Sequence, residues 1–127
     1  MLNIILSSTS NLAIYEQIIN QIKTAIINKD VVAGDALPSI RALARDLQIS
    51  VITTKRAYEE LEKEGLIYSK SGKGFYVNEQ NTDILKEKKI TMIETHLLEI
   101  IKECKAAGLS LADIQDIVEV LYQENAE

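Results

Sequence analysis

The stretch that most restricts this chain is residues 37–77, where the apolar spacing changes character several times over a short distance. Pro38 fixes its own φ and keeps Leu37 out of a helix. Ser39 follows as an N-cap, able to accept a bond from the first free amides of a helix. Leu43, Ala44 and Leu47 then recur at i, i+3, i+4 spacing and make one apolar face. The pattern breaks at Gln48-Ile49 and restarts behind a second cap, Ser50. In the run from Ser50 to Glu64, residues Thr54, Ala57, Tyr58 and Leu61 share a face at about 100° per residue. The opposite face carries Ile52, Lys55, Arg56, Glu59 and Lys63. Gly65 stands where a helix-ending C′ glycine belongs. Two short strands over 66–68 and 75–77 are then expected, with Gly72 and Gly74 supplying positive φ around Lys73 at the tip.

Helix, tight turn, helix and hairpin, in that order, are the parts of a winged helix-turn-helix. The ordered set Ile14-Tyr15, Gln17-Ile18, Gly34-Asp35, Leu37-Pro38-Ser39, Arg41, Leu43-Ala44, Thr53, Arg56-Ala57-Tyr58, Leu61, Gly65-Leu66-Ile67, Gly72, Gly74 and Val77 resembles GntR-type transcriptional regulators of the small YtrA-like branch. The resemblance covers about half the chain and implies a mainly α protein. A winged helix-turn-helix of three helices and a β-hairpin wing, residues 1–78, would precede a two-helix dimerisation hairpin, residues 79–127. It also implies a homodimer on a double-stranded operator of two half-sites, acting as a repressor of a nearby operon, often one for an ABC transporter. It implies no cofactor, and any small-molecule effector would have to use a small cleft between helices or subunits.

On this resemblance the DNA contacts fall to Arg41, Ser50, Ile52, Thr53, Lys55, Arg56, Gly72 and Lys73. Arg41 opens the first helix of the motif, where a helix N-terminus and a guanidinium suit a phosphate or a base edge. Lys55 is placed to read a base, and Lys73 to meet backbone. The sequence departs from the branch at three points. Ala13 stands where Pro is usual, Lys29 where a helix-ending Gly is frequent, and Val51 where many relatives carry a polar or basic side chain. Val51 cannot donate a hydrogen bond, but it fits a thymine methyl.

Upstream, Ile14, Ile18, Ile22, Ala25 and Ile26 recur at helical spacing, so an amphipathic helix is expected from Leu12 to about Asn28, capped by Asn11. Residues 2–6 read as a strand or an ordered tail, and 31–37 as a connector turning at Gly34-Asp35. Downstream, Ile90, Ile93, Leu97, Ile100, Ile101 and Cys104 form a stripe on a long helix that stops at Gly108. Ser110 and Asp113 form a capping box for a last helix bearing Ile114, Ile117, Val118 and Leu121. These two helices carry more apolar surface than they can hide from each other, and a second copy of the chain is the simplest cover, so these ten residues are the expected dimer contacts.

Charge is distributed unevenly. The net charge of −5 argues at first against nucleic acid, yet residues 1–78 hold 9 Lys+Arg and 8 Asp+Glu, while residues 79–127 hold 5 and 11. The acid lies in the C-terminal third, and local positive patches decide phosphate binding. A chain of 127 residues buries enough surface to fold without a disulfide or metal. Its single cysteine fits a reducing cytoplasm, and no apolar run reaches the roughly 18 residues of a membrane span. The N-terminus lacks the basic start and long apolar core of a signal peptide. His96 and Cys104 are about 12 Å apart along their helix, too far to share one metal without help from another chain. No catalytic set can be assembled from one His and one Cys, so an enzyme is not expected. The competing class is a winged-helix module that binds a protein, which the overall acidity favours and the cluster Arg41, Lys55, Arg56 and Lys73 opposes.

Overall fold

The computed structural model describes residues 2–125. Its elements follow in the order α1 (Ile14–Ile27), α2 (Ile40–Leu47), α3 (Val51–Lys63), β1 (Ile67–Lys70), β2 (Gly74–Val77), α4 (Thr82–Ala106) and α5 (Leu111–Glu124). This is a winged helix-turn-helix followed by a helical pair, as the pattern of caps and breaks predicts. The chain forms two compact units, one ending at Leu85 and the other starting at Lys86.

In the first unit α3 is the hub, packing against α1, α2 and β1. Its buried face is Thr54, Ala57, Tyr58 and Leu61. Ile18, Ile22, Ala25 and Ile26 from α1, Val31 and Leu37 from the connector, Leu43 from α2, and Leu66, Ile67 and Val77 after α3 join it in the core. Tyr58 is 0 % exposed; its hydroxyl donates to the Pro38 carbonyl at 2.6 Å and its ring meets Phe75 edge-on at 5.1 Å. Burial raises the phenol pKa far above its ordinary value, so Tyr58 stays a neutral donor.

The caps act as expected for α2 and α3. Ser39 Oγ accepts from the Ala42 amide and Ser50 Oγ from the Thr53 amide. The break between the two helices is a left-handed Gln48, φ 57°, which lets the Ile49 amide reach the Ala44 carbonyl at 3.0 Å. Gly65, φ 79°, ends α3 with the Leu66 amide bonded back to the Leu61 carbonyl at 3.0 Å.

Helix α1 begins later than the sequence suggests. Its N-cap is Ala13 rather than Asn11, and since alanine offers no acceptor, the Glu16 carboxylate accepts from the Ala13 amide at 3.4 Å as half of a capping box. Ala13 holds φ −60°, the value a proline would impose, so its departure from the branch pattern costs no geometry. Lys29 occupies the left-handed region at φ 61°, a conformation that glycine adopts without strain. Residues 2–6 form an ordered tail rather than a strand. Leu2, Ile4 and Leu6 pack on the core, and the Gln21 side chain takes both backbone groups of Ile5 at 2.8 and 2.6 Å.

The wing pairs Ile67 with Val77 and Lys70 with Gly74, so both strands reach further toward the tip than 66–68 and 75–77. Leu66 drops out of β1 because its amide belongs to the turn that ends α3. The connector does more than turn. Gly34 and Leu37 amides donate to the Val77 and Phe75 carbonyls at 2.8 and 2.9 Å, and the Val77 amide returns a bond to Asp35, so β2 is paired on both sides. On the outer edge of β1, the Ser69 amide and hydroxyl both donate to the Glu62 carboxylate, at 3.2 and 2.8 Å.

In the second unit Gly108, φ 81°, stops the long helix, and Ser110 with Asp113 forms the predicted capping box. The two bonds from Ser110 hold the Asp113 carboxyl below its ordinary pKa. No described residue of α4 or α5 is buried. Ile90, Met92, Ile93, Leu97, Leu98 and Ile100 are exposed on α4, as are Leu111, Ile117, Val118, Val120, Leu121 and Tyr122 on α5. Ile101, Cys104 and Ile114 are half-buried.

Candidate nucleic-acid interface

The outward face of α3 follows from what its inward face must do. With Thr54, Ala57, Tyr58 and Leu61 committed to the core, Ile52, Lys55, Arg56 and Glu59 stand exposed. The charge along this helix is polarised. Its N-terminal half presents Lys55 and Arg56 and no acid, while Glu59, Glu60 and Glu62 outnumber Lys63 in its C-terminal half and Glu64 follows as the C-cap. The helix dipole adds positive potential at the same N-terminal end. Part of the acidic end is tied inward, Glu64 to Lys23 at 3.0 Å and Glu62 to Ser69.

Each expected contact has a definite position. Ser50 and Thr53 form a closed pair: the Ser50 hydroxyl donates to Thr53 Oγ1 at 2.8 Å while accepting the Thr53 amide at 3.0 Å. Lys55 leans toward Glu59 across 4.0 Å, a loose contact between two exposed groups that a phosphate or base can displace. Arg41 is exposed in the first turn of α2, which packs on α3. Gly72 and Lys73 form the exposed wing tip, where the Lys73 amide closes the turn on the Lys70 carbonyl at 2.9 Å and Gly72 adopts φ 71°. Beside them Lys70 lies over the Tyr76 ring at 4.6 Å.

Arg56 differs from the other cations. Its guanidinium lies 3.8 Å from the centre of the Tyr15 ring, and one terminal nitrogen donates to the Tyr15 hydroxyl at 3.2 Å. Nothing local in the sequence signals this partnership between side chains 41 positions apart. A double-mutant cycle of Tyr15→Ala and Arg56→Ala, read by thermal unfolding, is expected to give a coupling of about 0.5–1 kcal/mol. Strictly additive costs would show that the stack does not persist in solution.

No cluster of His, Cys, Asp and Glu among the described residues can hold a metal ion. No helix among the described residues is long and apolar enough to cross a membrane. The first unit also holds a cleft of about 510 Å³, with Ile26, Val31 and Val77 among its apolar lining and Asn78, Gln80 and Thr82 among its polar lining.

Comparison with known proteins agrees with this geometry. The family described as bacterial regulatory proteins, gntR family, matches residues 14–77. The HTH-type transcriptional repressor YtrA of Bacillus subtilis is 38% identical over 107 residues, covering 84% of this chain and 82% of that protein. The solved structure of a GntR family transcriptional regulator from Listeria monocytogenes superposes with a TM-score of 0.69 at 30% identity, over 90% of this chain and 97% of that one. The DNA-binding domain of AraR, solved in complex with its operator ORR3, superposes with a TM-score of 0.51 at 28% identity, over 57% of this chain and 87% of that one. With a winged head, a polarised α3 and these likenesses together, the chain belongs to the GntR family, in its YtrA-like branch, and is a DNA-binding transcriptional regulator rather than an enzyme.

Proposed function

We propose that this regulator binds an operator of two half-sites as a homodimer and represses a nearby operon, such as one encoding an ABC transporter. The polarity of α3 carries the reading: cations and exposed apolar side chains without acid at its N-terminal half, and an excess of acid at the other. A helix so charged enters a major groove by its N-terminal turns and keeps its carboxylates away from the phosphates. Two further facts support it. The B. subtilis relative is named as a repressor, and the AraR domain was solved on its operator. The exposed apolar stripes of α4 and α5 support pairing of two copies through Ile90, Ile93, Leu97, Ile100, Ile101, Cys104, Ile114, Ile117, Val118 and Leu121. For a small-molecule effector, the cleft beside Val31 and Thr82 offers about 510 Å³.

Lys55 and Lys73 test the DNA-binding part. Lys55→Ala is expected to cost about 1–3 kcal/mol of operator affinity, concentrated at one base position. Lys73→Ala is expected to weaken operator and scrambled DNA alike and to lower the salt slope by about one unit. Fluorescence titrations of both variants at several salt concentrations separate the roles. Equal losses on both DNAs for Lys55→Ala would reassign it to backbone, and no loss for either variant would move the DNA surface elsewhere.

A further inference from the structure

We infer that the first turn of α3 reads thymine by its 5-methyl group, with Ile52 as the principal contact and Val51 beside it. This rests on the operator-binding reading above and deepens it to the chemistry of the base recognised. Three observations carry it.

Ile52 is 80 % exposed and Val51 42 %, at the start of the helix whose other face is wholly buried in the core. A branched apolar side chain left so open on a helix end stabilises nothing within the head. Second, the polar groups of this turn are already spent on one another. Ser50 Oγ accepts the Thr53 amide and donates its proton to Thr53 Oγ1, which leaves the half-buried Thr53 hydroxyl proton as the one side-chain donor before Lys55. Third, Lys55 follows Ile52 by three residues and therefore lies on the same side of the helix. A groove that receives Lys55 must receive Ile52 as well.

In the major groove only thymine offers an apolar group, the methyl at C5; the other base edges there present hydrogen-bond donors and acceptors. Seating Ile52 against a cytosine amino group or a guanine carbonyl would strip water from a polar group and return no bond. Against a thymine methyl it removes apolar surface from water on both sides. The turn therefore selects thymine opposite Ile52 by attraction and disfavours G·C pairs by desolvation, while Lys55 supplies the donor for a neighbouring guanine.

The test uses the full chain. An operator is first selected from random duplexes, and each thymine in it is then replaced by uracil, which removes the methyl and leaves base pairing intact. Wild type, Ile52→Ala and Val51→Ala are titrated on every substituted duplex. Both side chains are exposed, so the alanine variants keep the fold, and circular dichroism verifies it. Wild type is expected to lose about fourfold in affinity per methyl removed at one thymine of each half-site, and about fifteenfold when both half-sites are substituted. Ile52→Ala is expected to bind thymine and uracil duplexes equally at that position. Tolerance of uracil everywhere by wild type, or an unchanged thymine preference in both variants, overturns this inference alone. Failure to select any sequence overturns the operator reading itself and takes this inference with it.

Discussion

A Leu97→Asp variant is expected to sediment as a monomer and to lose operator affinity by about a hundredfold or more. Leu97 lies near the middle of α4 and is 45 % exposed in the single chain. It is among the exposed apolar side chains of the single chain, so an aspartate there is expected to be tolerated by the monomer while placing a charge where a second copy would pack. On the proposed pairing the effect on DNA is large, because two linked heads would bind two half-sites as one event. Separating them removes the effective concentration of the second head, which is typically worth about 10²–10⁴ in avidity. Sedimentation gives the oligomeric state and anisotropy on a two-half-site duplex gives the affinity. A Leu97→Asp chain that remains dimeric, or a monomer that binds as tightly as wild type, sinks the pairing proposed for α4 and α5.

Tyr58→Ala is expected to cost about 3–5 kcal/mol, a large share of the 5–15 kcal/mol that typically holds a domain together. The side chain is fully buried at the junction of α3, the start of α2 and the wing. Its removal leaves a cavity under Phe75 and an unpaired Pro38 carbonyl. Tyr58→Phe separates the two effects: it keeps the ring and is expected to cost about 1–3 kcal/mol for the carbonyl left without its donor. Urea denaturation of both variants gives the numbers. If the alanine variant lost no more than the phenylalanine one, the ring contact with Phe75 would contribute nothing and the core description of the head would need revision.

Much of the helix-turn-helix was legible because its signals are local. Pro38, Ser39, Ser50 and Gly65 each act within a turn of where they stand, and the helices they bound fall where expected. The overall acidity, which favoured a protein partner over DNA, misled only until it was divided along the chain. The start of α1 was not legible in the same way. Asn11 has the chemistry of a cap, but the tail ahead of it is fixed by Gln17 and Gln21, whose side chains hold the backbone of Ser7 and Ile5. Those bonds form only once tail and helix lie side by side. The pairing of residues 34–37 with β2 and the seat of Arg56 on Tyr15 escaped for the same reason. Both join segments far apart in sequence, and neither leaves a periodicity. In the first turn of α3, sequence alone could not tell that the Ser50 hydroxyl is bonded to Thr53, an arrangement on which the proposed role of Ile52 rests.

The small sheet has a consequence for how this protein behaves at high concentration. β2 is flanked on both sides, so the free edge belongs to β1, and there Glu62 already occupies the amide of Ser69. An open strand edge is a template on which a neighbouring chain can add a strand and begin a fibril. Here that template is interrupted at its middle by a carboxylate, whose charge also repels an incoming carbonyl row. Crowded copies on a chromosome are thereby steered away from strand-to-strand aggregation.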